Sequence, residues 1–175
     1  ADPLAFAIEM VHAFSLIHDD LPCMDDDDFR RGLPTNHKVF GEPMALLAGD
    51  ALLTHAFGTF ALLGGRVNPE IFHRSFQFFI QAIGAKGIMG GQALELELKQ
   101  PTFERVLHVQ ALKTTALFQA SILIPVLLAG YSWEDAIFKD YLQFSEAFGF
   151  AFQAADDLAA HAQDQGQDEQ KNLLS

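Results

Sequence analysis

Ser15-Leu-Ile-His-Asp-Asp-Leu-Pro-Cys-Met-Asp-Asp-Asp-Asp-Phe-Arg-Arg-Gly32 joins the end of an apolar, helix-periodic run (Leu4 to Ile17) to six aspartates within ten residues, and then to two arginines. So many like charges repel one another, and a helix end with only a structural role would not collect them. Hard divalent cations change that balance, because Mg²⁺ is held by one or two carboxylates together with substrate phosphates. Arg30 and Arg31 supply the complementary half, planar donors matched to phosphate oxygens. Acid for metal beside base for phosphate predicts a site for a metal–diphosphate complex.

Outward from this stretch the pattern is helical almost throughout. Asp2-Pro3 reads as an N-cap followed by proline at the first helical position, and the helix it opens ends near Asp19–Asp20. Leu21-Pro22 interrupts it, since a residue before proline is disfavoured in the helical region. A loop over Gly32–Lys38 leads to a second apolar helix from about Met44 to Leu63, stopped by Gly64-Gly65. Further helices are expected at about Pro69–Leu98, at Phe103–Leu112 continuing through Leu128, and at Trp133–Gln163. The polar stretch Gln163–Lys171 is expected to be a loop. Strand alternation is nearly absent and no repeat is evident. One all-α domain spanning residues 1–175 is the expectation.

The composition bounds the chemistry. The chain has 175 residues, half of them apolar and 17 of them Phe, enough for a full core. Its net charge of −12 argues against nucleic acid, which basic surfaces bind. An anionic substrate still suits an acidic protein if cations lie between them. The single cysteine, Cys23, permits neither an internal disulfide nor a multi-cysteine zinc site. The uncharged run Thr114–Trp133 is long enough to span a bilayer, but it carries Gln119, Ser121 and Pro125 and lacks basic flanks; a buried core helix is expected, with no membrane span.

A second acidic pair, Asp156-Asp157, follows the apolar segment Phe148–Phe152. Adjacent aspartates in apolar surroundings are costly unless paired or metal-bound. Gln153 shares their helix face. Two facing helices that each present acidic side chains are how bundles hold metals; the plainer reading is a solvated helix end. For other groups the plainer readings are surface neutralisation of Asp26–Asp28 by Arg30 and Arg31, and snorkelling for Lys113. His18 reads as a packed neighbour, Asp50 as a buried, hydrogen-bonded carboxylate, and Gly87, Gly90 and Gly91 as close helix packing.

Taken in order, these segments resemble the trans-isoprenyl diphosphate synthases. Asp19–Gly32 is similar to that family's first aspartate-rich motif and the Arg-Arg-Gly that follows it. Pro34–Glu42, Leu47–Leu53, Gly90-Gly-Gln92, Lys113–Phe118 and Phe148–Asp157 match further markers in family order. The resemblance implies an isoprenoid-synthase helical bundle around a deep central apolar pocket, usually dimeric and cytoplasmic. It implies a prenyltransferase that condenses isopentenyl diphosphate with an allylic diphosphate, such as dimethylallyl or geranyl diphosphate. Metal and cationic groups stabilise the departing diphosphate, and a dry pocket protects the allylic cation.

Residue by residue, the resemblance makes Asp19, Asp20, Asp25, Asp156 and Asp157 the metal ligands, with three Mg²⁺ ions when diphosphate is bound. Arg30 and Arg31 would hold the allylic and isopentenyl diphosphates. Lys113, Thr114 and Gln153 would face the allylic substrate, and Lys171 would be a further diphosphate ligand. Phe14 and Ser15, five and four residues before Asp19, lie roughly 6–8 Å up the helix, where the family closes its pocket. An aromatic at Phe14 would favour a C15 product, farnesyl diphosphate. The chain departs from the pattern at Ala160, where the family's second motif carries a third aspartate, and it lacks the family's N-terminal and C-terminal helices. Two other readings follow: a non-catalytic or regulatory subunit of such a synthase, and a terpene-cyclase-like lyase that uses one diphosphate substrate.

Overall fold

The computed structural model describes residues 2–97, 99 and 102–173, with the backbone alone for 157 and 159–173. Its elements are α1 (Pro3–Asp19), β1 (Phe29–Arg30), β2 (Leu33–Pro34), α2 (Asn36–Phe40), α3 (Glu42–Ala61), α4 (Pro69–Ile83), α5 (Ile88–Leu96), α6 (Phe103–Gln110), a π-helical turn (Ala111–Thr115), α7 (Ala116–Leu128) and α8 (Ala136–Leu173). The fold is all-α. Its only strands among the described residues form a two-residue antiparallel hairpin, pairing Phe29 with Pro34 and Arg30 with Leu33.

The expected entry to α1 is present. Asp2 Oδ1 accepts from Leu4 N at 3.0 Å, and Pro3 occupies the first turn, where its missing N–H costs nothing. Helices α1, α3, α4 and α7 enclose one core, in which Val11, Phe60, Phe79, Ala120 and Ile124 are fully buried. Phe60 stacks on Phe79 at 4.7 Å between ring centres and tilts against Phe76 at 5.4 Å, so aromatic faces and edges fill the α3–α4 contact.

Four sequence expectations change. The single helix at Pro69–Leu98 is two, because the chain leaves the helix at Gly84, which is extended, and restarts after Gly87. The Gly32–Lys38 loop contains β2 and the start of α2. The last helix begins at Ala136 rather than Trp133, after a turn in which Ser132 N and Oγ both donate to Asp135 Oδ2. It then runs to Leu173, through the segment expected to be a loop. That segment is rich in Gln, Glu and Asp, and its one helix breaker, Gly166, costs only about 1 kcal/mol.

The apolar run around Thr114–Trp133 falls mostly in α7, where Ala116, Ala120, Leu123, Ile124 and Leu127 are buried against α1, α4 and α8. By length and composition alone, Glu42–Ala61 and Phe103–Leu128 could each cross a membrane. The packing of α7 is that of a core helix.

Candidate active site

Helix α1 presents two different faces. Leu4, Ala7, Val11 and Phe14 enter the core, while Ile8, His12, Ser15, Leu16 and Asp19 line a cavity of about 420 Å³. One residue step, roughly 100° of helix, separates the two. The opposite wall is built from Lys113 and Thr114 of the π turn, Leu117 and Phe118 of α7, and Phe152 of α8; Arg31 reaches it from the hairpin. A second cavity of about 320 Å³ adjoins it, bounded by the same Lys113 and Thr114 with Glu95 and Gln153.

The π turn is held in place by glycines. A Cβ on Gly91 of α5 would stand 2.8 Å from Lys113 Cα, and one on Gly149 of α8 would stand 2.6 Å from Thr115 Oγ1. Only a bare backbone on each side lets α5 and α8 close on the widened turn. This is the close packing expected of Gly91, and it presents Lys113 and Thr114 from a π turn, a device frequent at functional sites.

Lys113 is the hub of the charges. Its Nζ lies 2.5 Å from Glu95 Oε2, 3.6 Å from Asp19 Oδ2 and 4.0 Å from Asp25 Oδ2. It does not snorkel to solvent as the plainer reading had it. Burial alone would lower its pKa, but the hydrogen bond to Glu95 and the charges of Asp19, Glu95 and Asp25 outweigh that and raise it. Burial pushes the Asp19 carboxyl up to about 6; Lys113 pulls it back, while Asp25 and Glu95 add to the push.

Asp20 does not share this cluster. It is 3% exposed and its Oδ1 accepts from Arg30 Nε at 2.8 Å and lies 2.6 Å from Nη2. Arg30 also approaches Asp27 at 3.6 Å. The structure therefore divides what the sequence had grouped: Asp19 and Asp25 converge on Lys113, and Asp20 is taken up by Arg30. Arg31 forms no ion pair among the described residues and lines the cavity at a left-handed φ of 54°. Of the two arginines it is the one turned to the pocket.

Thr114 Oγ1 donates to Gln153 Oε1 at 2.9 Å, so this predicted pair meets. Ser15 lines the cavity; Phe14 does not. The Phe14 ring is buried in the core, edge-on to His18 at 5.0 Å, and is not among the residues that line the cavity. His18 is a packed neighbour as expected, 3.0 Å from Leu46 O and tight against Gly49. Asp50 is exposed, not buried, because it stands on the outer side of α3. Asp156 is exposed one turn beyond Phe152 and forms no ion pair among the described residues. The side chains of Asp157 and Lys171 lie outside the described residues. Sequence reasoning passed over Glu95, though it sits one turn after Gln92 on α5. It also missed His12, two turns before Asp19 on the same helix face.

The chain as a whole is similar to known proteins. A family model described as polyprenyl synthetase matches residues 1–174. This chain belongs to the polyprenyl synthetase family. Among its relatives, the farnesyl diphosphate synthase of Bacillus subtilis is 43% identical over 162 residues, covering 89% of this chain and 53% of that protein. The heterodimeric geranylgeranyl pyrophosphate synthase large subunit 1 of Arabidopsis thaliana is 43% identical over 165 residues, covering 90% of this chain and 44% of that one. The crystal structure of an FPP/GFPP synthase from Zymomonas mobilis superposes with a TM-score of 0.83 at 36% identity, covering 91% of this chain and 58% of that one. The chain thus spans about half the length of the relatives it matches. Relatives of equal identity are named for different products, so likeness alone does not fix product length.

The donor set at this site fits a divalent cation. Two carboxylates, Asp19 and Asp25, converge on a single ammonium, and Asp19 is buried enough to resist ionisation. A cation of higher charge between them would relieve both conditions.

Proposed function

We propose that this chain carries the condensation site of a prenyltransferase that joins isopentenyl diphosphate to an allylic diphosphate. The observation that carries this reading is the pocket itself: a mostly apolar cavity along α1, with Asp19, Arg31, Lys113 and Thr114 on its wall. Bound Mg²⁺ would supply positive charge against the leaving diphosphate. Asp19 and Asp25 are the ligands proposed for it on α1 and the loop that follows, with Asp156 and Asp157 on α8 as the second set. Asp20, already held by Arg30, orients that arginine rather than presenting itself to the metal.

Arg31 and Lys113 would bind the diphosphate oxygens, one as a planar donor and the other as a point charge. Thr114 and Gln153, already hydrogen-bonded, would face the allylic carbons. Apolar walls at Leu16, Leu117, Phe118 and Phe152 exclude water that would trap an allylic cation. With Phe14 off the wall, the argument it gave for a C15 product goes with it; the length limit is reassigned to the pocket face, at Ser15, His12 and Ile8. The same reading has the enzyme work in the cytoplasm as a homodimer.

The test is an assay with Mg²⁺, isopentenyl diphosphate and each allylic diphosphate in turn, with products separated by chain length. Elongation by one or more five-carbon units is expected. Pyrophosphate release from an allylic substrate alone would replace the reading with a lyase, and binding without turnover with a non-catalytic subunit.

A further inference from the structure

The hairpin β1–β2 is closed at its base by residues with ligand chemistry of their own. Thr35 N donates to Asp28 O at 3.0 Å, and Thr35 Oγ1 donates to Asp27 O at 2.7 Å. A hydroxyl has one proton, so toward His37 Nδ1, 3.2 Å away, Thr35 Oγ1 can only accept. With Nδ1 as the donor in this contact, Nε2 keeps its lone pair. His37 is 6% exposed, and Nε2 is buried with no hydrogen-bond partner.

Two carboxylates stand beside this ring. Asp26, Asp28 and His37 each offer one ligand atom, and those atoms all lie within 4.8 Å of one another. A cation already occupies part of the cluster: Lys38 Nζ is 2.6 Å from Asp28 Oδ1.

We propose that Asp26, Asp28 and His37 form a binding site for a zinc-class divalent cation, separate from the Asp19–Asp25 cluster and independent of the prenyltransfer reading. Two carboxylate oxygens and one imidazole nitrogen leave a fourth position for water, a common zinc arrangement. The imidazole selects against Mg²⁺, which prefers oxygen throughout. The Nδ1–H bond to Thr35 is the outer support that fixes a ligating histidine's tautomer. Binding requires the ligand atoms to draw in to roughly 3.4 Å apart, as bonds of about 2.1 Å at tetrahedral angles demand, and Lys38 to release Asp28.

The site would act as a staple. Asp26 and Asp28 precede β1 and His37 follows β2, so one ion ties together both ends of the hairpin that carries Arg30 and Arg31. The arginine facing the pocket would then be held from behind by a metal that takes no part in the chemistry.

The test is calorimetric titration of the full chain with Zn²⁺ in excess Mg²⁺, paired with thermal melts. One Zn²⁺ equivalent and a raised Tm are expected. His37→Gln and Asp26→Asn should each weaken binding by at least ~10-fold, the range in which metal-site support is measured, while Asp19→Asn leaves it intact. Lys38→Ala, an exposed change that leaves the fold intact, should tighten binding severalfold by removing the competing ammonium. Wild-type Zn²⁺ affinity in both His37→Gln and Asp26→Asn, or no tightening in Lys38→Ala, would overturn the proposal.

Discussion

The core face and the pocket face of α1 are built from the same helix, one residue step apart, yet they follow different physics. On the core face, Leu4, Ala7, Val11 and Phe14 are buried in the one core that α1 shares with α3, α4 and α7. On the pocket face, Ile8, His12, Ser15 and Asp19 border about 420 Å³ of open space. The first face is optimised for stability. The second leaves apolar surface uncovered and an aspartate half out of water, both of which cost stability and only a ligand can repay. Mutations on the two faces should therefore separate stability from product chemistry.

The largest separation is expected at Phe14. Phe14→Ala deletes a buried ring from the core, and the cavity left behind should cost about 3–4 kcal/mol by chemical denaturation. Its product length should stay unchanged, because the ring lies off the pocket. Longer products from a stably folded Phe14→Ala variant would return Phe14 to the pocket wall and erase the two-face distinction.

The next effect is at Asp19, where the pocket face meets water. Its carboxyl titrates near 6 in the folded protein against an ordinary 3.8. A folded pKa above the unfolded value means stability that is fully present below about pH 4 and is lost as pH rises through about 6. Ionised Asp19 thus destabilises the metal-free protein at neutral pH, by about 1–3 kcal/mol on the size of the shift. In EDTA, Asp19→Asn should stabilise the fold above pH 6, with the gain shrinking to nothing by about pH 4. With Mg²⁺ present the advantage should reverse, since the substituted side chain gives up a ligand. Equal melting curves at pH 5 and pH 8 would show that burial does not hold this carboxyl up.

Much of this was legible in the sequence, for reasons that can be stated residue by residue. Asp2-Pro3 marks a helix start and Gly64-Gly65 a stop by local chemistry alone, and the structure follows them within two residues. The acidic cluster announces itself by charge density. What was not legible depends on contacts between distant segments. Asp19 and Asp20 are adjacent and chemically identical, yet one meets Lys113 and the other Arg30, a choice made by how the loop Leu21–Asp28 folds back. Phe14 and Ser15 are one step apart, and only the position of α3 and α7 says which faces the core. Glu95 is silent in the sequence because its partner Lys113 lies 18 residues away. The break at Gly84 went unread, because a lone glycine inside an apolar, helix-periodic run is tolerated and the expected helix ran through it to Leu98. Helix continuation beyond Gln163 is a matter of weak propensities, which sequence pattern does not resolve.

The finest test of the comparison is a single substitution next to Phe14. Ser15 lines the pocket, half-buried, with its hydroxyl donating to His12 O at 2.9 Å, so it adds little to the core. Ser15→Phe should cost little stability, under about 1 kcal/mol, because the new ring extends into open cavity rather than into packed atoms. The same ring would cross the channel one turn from Asp19 and should shorten the dominant product by one five-carbon unit relative to wild type, as read by chromatography of the dephosphorylated products. The pair Phe14→Ala and Ser15→Phe then forms a crossed experiment: the first lowers stability and spares product length, the second spares stability and changes product length. If Ser15→Phe destabilises as much as Phe14→Ala and leaves products alone, the cavity along α1 is not the path the growing chain takes.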